Sequence, residues 1–362
     1  MPTDLPAPHA WTGLAAEPDY PLALPEPAAV GEPPLAMLFR RIPAGSFVMG
    51  SRSMDAREEP RHRVVLEQEF WLAKFVVTQA EYARVVRAVE FPAKFGLGLD
   101  PSHFKGARRP VEQVSWDDAM AWCAALRAWP GLPAEIRELR LPSEAEWEYA
   151  CRAEPALHRT TDYYSGDGDA ALAEVGWYDG NAGDTTHDVE EAIHGRPETH
   201  PAGLVGMHGH VWEWCGDVWD ARAYRKRPDG WVAQEWNLAD AGDDATSFLE
   251  PITPGDTPSR VLRGGSWLDP AGRCRSAYRY WIYGFRVCLV RGPVGAGGAQ
   301  EQFSPAEEPR VPETDGTGGA GAEGASFNLA HETISRGAGS NFFAPTGLGP
   351  LPTDPPNPLS PT

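Results

Sequence analysis

Helical periodicity is what this chain lacks over most of its length. Beyond roughly residue 152 no segment repeats apolar residues at three- and four-residue spacing. Turn residues dominate instead, with 38 glycines and 36 prolines among 362 residues, which excludes a bundle of long helices. Cysteine is scarce too. Cys123, Cys151, Cys215, Cys274 and Cys288 are odd in number, scattered and never in CxxC spacing, which argues against a disulfide framework and against a zinc site. No stretch approaches the ~20 apolar residues of a membrane span. The first residues are Pro/Ala-rich and acidic, without the basic and apolar regions of a signal peptide, so a cytoplasmic, bacterial-type protein is the expectation. Basic residues are outnumbered, 32 Lys+Arg against 51 Asp+Glu, for a formal net charge of −19. Such a surface repels phosphate backbones and anionic lipid, so neither nucleic acid nor membrane is expected as a partner.

What is present is enough apolar material for a core: 42% hydrophobic residues, including 14 tryptophans. Composition divides the chain into a flexible Pro/Ala-rich arm (1–35), a folded body (36–293) and a Gly/Pro-rich tail (294–362) that cannot bury enough surface to offset its ordering entropy. Within that tail, Ala325 to Ser335 is an island able to dock on the body or on a partner. In the body, Ile42 and Phe47 to Met49 flank a Pro-Ala-Gly turn, which predicts a short hairpin. His62–Leu66 and Phe70–Phe75 read as strands. Three helix starts share one device, since Thr78/Glu81, Ser115/Asp118 and Ser143/Glu146 each set a hydroxyl three residues before a carboxylate. The second helix then carries Trp116, Ala119, Met120, Cys123 and Leu126 on one face, a core stripe, and the third brings Trp147, Ala150 and Cys151 to a common side.

Six separated blocks carry a resemblance. They are Ile42-Pro-Ala-Gly-Ser-Phe-Val-Met-Gly50, Val77-Thr-Gln-Ala-Glu-Tyr82, Pro110-Val-Glu-Gln-Val-Ser-Trp-Asp-Asp-Ala119, Arg140-Leu-Pro-Ser-Glu-Ala-Glu-Trp-Glu-Tyr-Ala150, Gly206-Met-His-Gly-His-Val-Trp-Glu-Trp214 and the Arg263-Gly-Gly-Ser-Trp267 region. In this order they are similar to the motifs of the formylglycine-generating enzymes, the sulfatase-modifying factors. The resemblance implies an α+β, C-type-lectin-like domain with little regular secondary structure, a small twisted antiparallel sheet and a few short helices. Fold alone does not fix function, because the scaffold also serves ergothioneine-pathway iron enzymes and the variable proteins of diversity-generating retroelements.

The family's chemistry rests on two cysteines after the Gly-Gly-Ser-aromatic turn, which bind copper and activate oxygen. The second falls on Cys274 and the first on Asp269. A thiolate and a hard carboxylate suit copper(I) poorly, so copper is not expected, and Cys274 stands either as a lone nucleophile or as a packed thiol. The family also implies calcium. Carried over, the ligands are the carbonyls of Gly209 and Val211 and the carboxylate of Glu213, with Gly206 where an acid or amide is usual and His210 in place of an asparagine. Calcium with a reduced ligand set is therefore one expectation. The other is that Glu213 accepts hydrogen bonds and fixes the loop without metal. His187, His194, His200, His208 and His210 match no zinc spacing and are read as structural or surface residues.

Trp267, Leu268, Asp269, Pro270, Arg273, Tyr278, Tyr280, Trp281 and Tyr283 form the candidate ligand-binding surface, since Trp, Tyr and Arg concentrate at recognition hot spots. Half of them read equally well as core. The stretch between Arg279 and Tyr283 is shorter than in the family, which would reshape the groove for a peptide. The function expected on these grounds is a binding module for a peptide or protein, without formylglycine-generating activity. One alternative is a copper- or iron-dependent oxidase using Cys274 on a cysteine-bearing peptide. A second is a retroelement-diversified receptor.

Overall fold

The computed structural model describes residues 11–26, 33–52, 55–88, 98–153, 157, 159–195, 199–233, 259–280 and 286–291, all within one compact unit. The expected tail and its island at 325–335 lie outside the described residues.

Short alternating strands build the framework. In chain order they are β1 (Tyr20–Ala23), β2 (Ala36–Ile42), β3 (Gly45–Met49), β4 (His62–Leu66), β5 (Phe70–Ala73) and β6 (Ile136–Arg140). The second half adds β7 (Gly176–Trp177), β8 (His208–Gly209), β9 (Glu213–Val218), β10 (Trp231–Val232), β11 (Arg260–Arg263) and β12 (Cys288–Arg291). Five of them form an antiparallel sheet in the order β1-β2-β5-β12-β6. Side chains alternate across it, so on β12 Leu289 enters one apolar cluster and Cys288 the other. A sheet buried on both faces is the result. The predicted hairpin is corrected here: the chain bends at Ala44, and β3 leaves the sheet of β2 and pairs with β4, which in turn pairs with β10.

One face of the sheet is covered by α1 (Gln79–Ala88) and α2 (Trp116–Ala128), the other by α3 (Glu144–Arg152). All three start on the expected caps. Ser115 and Ser143 accept from the backbone of Asp118 and Glu146, whose carboxylates answer back, and Thr78 and Glu81 do the same. The apolar stripe of α2 is core throughout.

The expected arm needs correction over its described part. Trp11 is buried, donates its indole N–H to Tyr149 Oη at 3.1 Å and meets that ring edge-on, while β1 pairs with β2. Arg40 holds the segment down, donating to the carbonyls of Leu14 and Glu17 and to Asp19. A backbone with fixed partners for its carbonyls and a buried tryptophan is a packed strap, whatever its proline content.

Helix α3 is buried along its whole length although it carries three glutamates. Each has arginine partners. Glu144 is met by Arg263 and Arg279, Glu146 by both Nη atoms of Arg140 at 2.8 and 2.9 Å, and Glu148 by Arg152 at 2.7 Å and by Arg263. Glu148 also accepts from Gly50 N at 2.8 Å. Burial opposes ionisation of Glu148, but Arg152 and Arg263 override it and hold the carboxyl down at about 2. Removing one arginine strands a buried charge, which costs roughly 3–5 kcal/mol. Arg263→Met is therefore expected to lower the unfolding free energy in urea by about that amount, and adding Glu148→Gln should restore part of it. A loss below about 1 kcal/mol in the single variant would mean that the pair is dispensable.

Candidate functional site

The Gly-Gly-Ser turn after β11 is shaped by a sulfur. Gly264 and Gly265 have φ of 98° and 76°, and a Cβ on Gly265 would lie 2.6 Å from Cys274 Sγ. Only glycine lets the turn close over that thiol. Cys274 is completely buried against Tyr163, Leu172 and Ala271, with Sγ 4.0 Å from the Ser266 carbonyl. Burial pushes its pKa well above the ordinary thiol value, and the charges of Asp269 and Asp179 push the same way. The thiol is packed away from solvent.

Asp269, in the first cysteine position, is nearly buried and committed. One oxygen accepts from Ser266 Oγ and the other from Arg273 Nη1 at 3.2 Å. A hard carboxylate already holding a hydroxyl and a guanidinium, beside a protonated thiol, does not fit copper(I).

The recognition cluster splits. Leu268 is 52% exposed, Pro270 is exposed, and Trp267 and Arg273 are half-buried, with Trp267 edge-on to Phe104 at 5.2 Å. Tyr278 and Tyr280 are corrected to core: both are 7% exposed and pack against Trp212, the Tyr280 ring stacked on it at 5.5 Å. Large aromatic area serves a core as well as it serves an interface, so residue type could not separate the two. Trp281 and Tyr283 lie outside the described residues.

Glu213 was expected to ligate calcium or to accept hydrogen bonds. It is buried, and its two oxygens accept from Arg286 at 2.8 and 2.9 Å and from the Trp147 indole at 2.7 Å. A divalent ion beside this carboxylate would face a guanidinium at contact distance, so these donors do not fit calcium. Arg286 also donates to the carbonyls of Ala73, Lys74 and Val205, and in this way ties the loop before β8 to the central sheet.

The histidines finish backbone. His208 Nδ1 donates to the Cys274 carbonyl at 2.8 Å, and its Nε2 accepts from Tyr164 N at 3.2 Å. His200 Nε2 donates to Ala150 O, and its Nδ1 accepts from Ala202 N. His210, in the left-handed region at φ 66°, accepts from His187 N at 3.0 Å, and the His187 ring stacks on Trp177. His187 also contacts Glu191, and the side chain of His194 lies outside the described residues. Burial holds His208 down at about 4 and His200 and His210 at about 3. Sequence reasoning missed two further features. One is the pairing of Arg275 with Glu58 at 2.7 and 2.9 Å, which anchors the segment after Cys274. The other is a cavity beside Trp177 and His210.

The fold is the mixed, C-type-lectin-like architecture of sulfatase-modifying factors, with a curled antiparallel sheet and few helices. The Sulfatase-modifying factor enzyme 1-like domain model matches residues 25–288, and the chain belongs to that family. It is 30% identical to the formylglycine-generating enzyme of Streptomyces coelicolor, across 71% of this chain and 87% of that one. It is 28% identical to the hercynine oxygenase of Mycolicibacterium smegmatis, of which the match spans 62%. Among solved structures, Treponema denticola variable protein 1 superposes with a TM-score of 0.52 at 23% identity, covering 75% of this chain and 98% of the other, a likeness of fold alone. PvdO from Pseudomonas aeruginosa matches at a TM-score of 0.50 and 25% identity, over 70% of this chain and 94% of its own.

His200, His208 and His210 set an acid limit. Each has a folded pKa below the ordinary 6.5, so the unfolded chain binds more protons between that value and about 4, and stability falls as pH falls through this window. Glu148 extends the loss below pH 4.5. Calorimetry is expected to show Tm decreasing from pH 6.5 to 4 with net proton uptake on unfolding. A flat Tm over that range would contradict the buried neutral imidazoles.

Proposed function

We propose that this chain is a family member that binds a peptide or protein ligand and does not generate formylglycine. The observation that carries the reading is Asp269, a committed carboxylate where a thiolate is required, beside the sealed thiol of Cys274. Without two thiolates there is no soft site for copper(I), and a protonated buried thiol is a poor nucleophile. The binding half rests on Trp267, Leu268, Pro270 and Arg273, a rim with Leu268 and Pro270 exposed and Trp267 and Arg273 half-buried, carried on a turn that closes over Cys274. Rigid presentation of such groups lowers the entropy lost on binding. A peptide carrying apolar side chains suits this rim.

Two measurements test it. The purified protein is expected to leave a cysteine-containing sulfatase peptide unoxidised in the presence of copper and oxygen. Tight, stoichiometric copper(I) binding that Cys274→Ser abolishes would overturn the reading in favour of an oxidase. For the surface, Leu268→Ala should change stability by less than about 0.5 kcal/mol, whereas Tyr280→Ala should cost roughly 3–5 kcal/mol. The Leu268 variant should still lose the peptide partner. Severe unfolding on truncating Leu268 would remove the surface from consideration.

A further inference from the structure

A second cavity, of about 260 Å³, opens where the end of β3 meets the loop after α3. Neither Asp269 nor Cys274 lines it. Its volume lies just below the range of drug-sized ligand sites, which suits a molecule of few heavy atoms. Donors with capacity to spare form one part of the wall. Arg52 is exposed, and its guanidinium has neither a hydrogen bond nor an ion pair among the described residues. Arg152 is buried and donates from Nε to Glu148 and from its two Nη atoms to the carbonyls of Thr161 and Gly50, 3.1 and 3.0 Å away. A guanidinium has five N–H groups, so one on each Nη remains. Thr160 Oγ1 accepts from Arg61 Nη2 at 3.2 Å, which leaves the Thr160 hydroxyl proton to donate.

A second observation concerns the opposite charge on the same wall. Asp162 lines the cavity half-buried, and its carboxylate accepts no hydrogen bond among the described residues. Only its backbone is engaged: the N–H donates to Asp167 Oδ1 at 2.8 Å, and the carbonyl accepts from the N–H and the hydroxyl of Ser276. Burial raises the pKa of Asp162 above the ordinary carboxylate value, against the pull of Arg275. A half-buried carboxylate without donors asks for one.

A simple ion does not answer both features. An anion drawn to Arg52 and Arg152 would meet the Asp162 carboxylate, and a cation drawn to Asp162 would meet the guanidiniums. A molecule carrying both charges a few bonds apart satisfies the two parts of the wall together, its oxyanion accepting charge-assisted hydrogen bonds and its ammonium donating them. We propose that this cavity binds a small zwitterion, an α-amino acid, with its carboxylate toward Arg52 and the remaining Arg152 donors and its ammonium toward Asp162. The site is separate from the Trp267 rim and does not depend on what that rim binds.

The test is isothermal titration of the full chain with L-alanine, with L-lactate as the probe lacking the ammonium and L-alaninamide as the probe lacking the carboxylate. Saturable one-to-one binding of alanine is expected, with each of the other two at least about tenfold weaker. Arg52→Gln should weaken alanine about tenfold or more, and the position is exposed, so folding is not at stake. Asp162→Asn breaks no hydrogen bond of the carboxylate. It should weaken alanine by a similar factor and strengthen lactate, because the charge that repels a bare anion is gone. Absence of saturable heat at millimolar alanine, lactate bound as tightly as alanine, or an unchanged alanine affinity in both variants would overturn the proposal.

Discussion

The arginine clamp on helix α3 is the constraint on which the rest of the molecule depends. A helix with three glutamates cannot be buried unless each charge is answered, and the answers come from distant parts of the chain. Arg140 arrives from β6, Arg263 from β11 and Arg279 from the segment after Cys274. Docking α3 therefore fixes these elements at the same time. Arg286 with Glu213, and Arg275 with Glu58, extend the logic around the loops. Where regular secondary structure is sparse, oriented guanidinium forks replace much of the hydrogen bonding that ladders would supply.

The same constraint explains how the motif region keeps its geometry with Asp269 in the first cysteine position. The turn at Gly264-Gly265, the packed Cys274 and the arginines beyond it form one mechanical unit. Exchange of a thiolate for Asp269 leaves that unit intact, because the carboxylate finds local partners in Ser266 and Arg273. A scaffold held by pairs remote from that position tolerates a change of side chain there and remains folded.

Local features were legible from sequence. The three capping boxes, the α2 stripe and strand β4 depend on neighbours within a few residues, and the ordered motif blocks pointed to the family and to the fold. The charge pairs were not legible, because Glu144 and Arg279 are 135 residues apart and Glu58 and Arg275 are 217. Nothing in either local pattern announces the other. Tyr278 and Tyr280 were misread for a related reason, since an aromatic ring carries no mark of which side of the surface it occupies. The strap at Trp11 was hidden by its composition: prolines and alanines around it suggested a free arm, yet one tryptophan and a row of backbone carbonyls suffice to dock it.

That strap has a consequence for where the protein ends as a physical object. The family model's match begins at residue 25, but Trp11 packs on Tyr149, and Leu14, Glu17 and Asp19 supply three of the acceptors of Arg40. A fragment cut at the inherited boundary would bare an aromatic hollow on α3 and leave a buried guanidinium short of its oxygens. The matched domain and the packed unit differ here by one N-terminal clasp, and Trp11 and Leu14 of that clasp belong to the core.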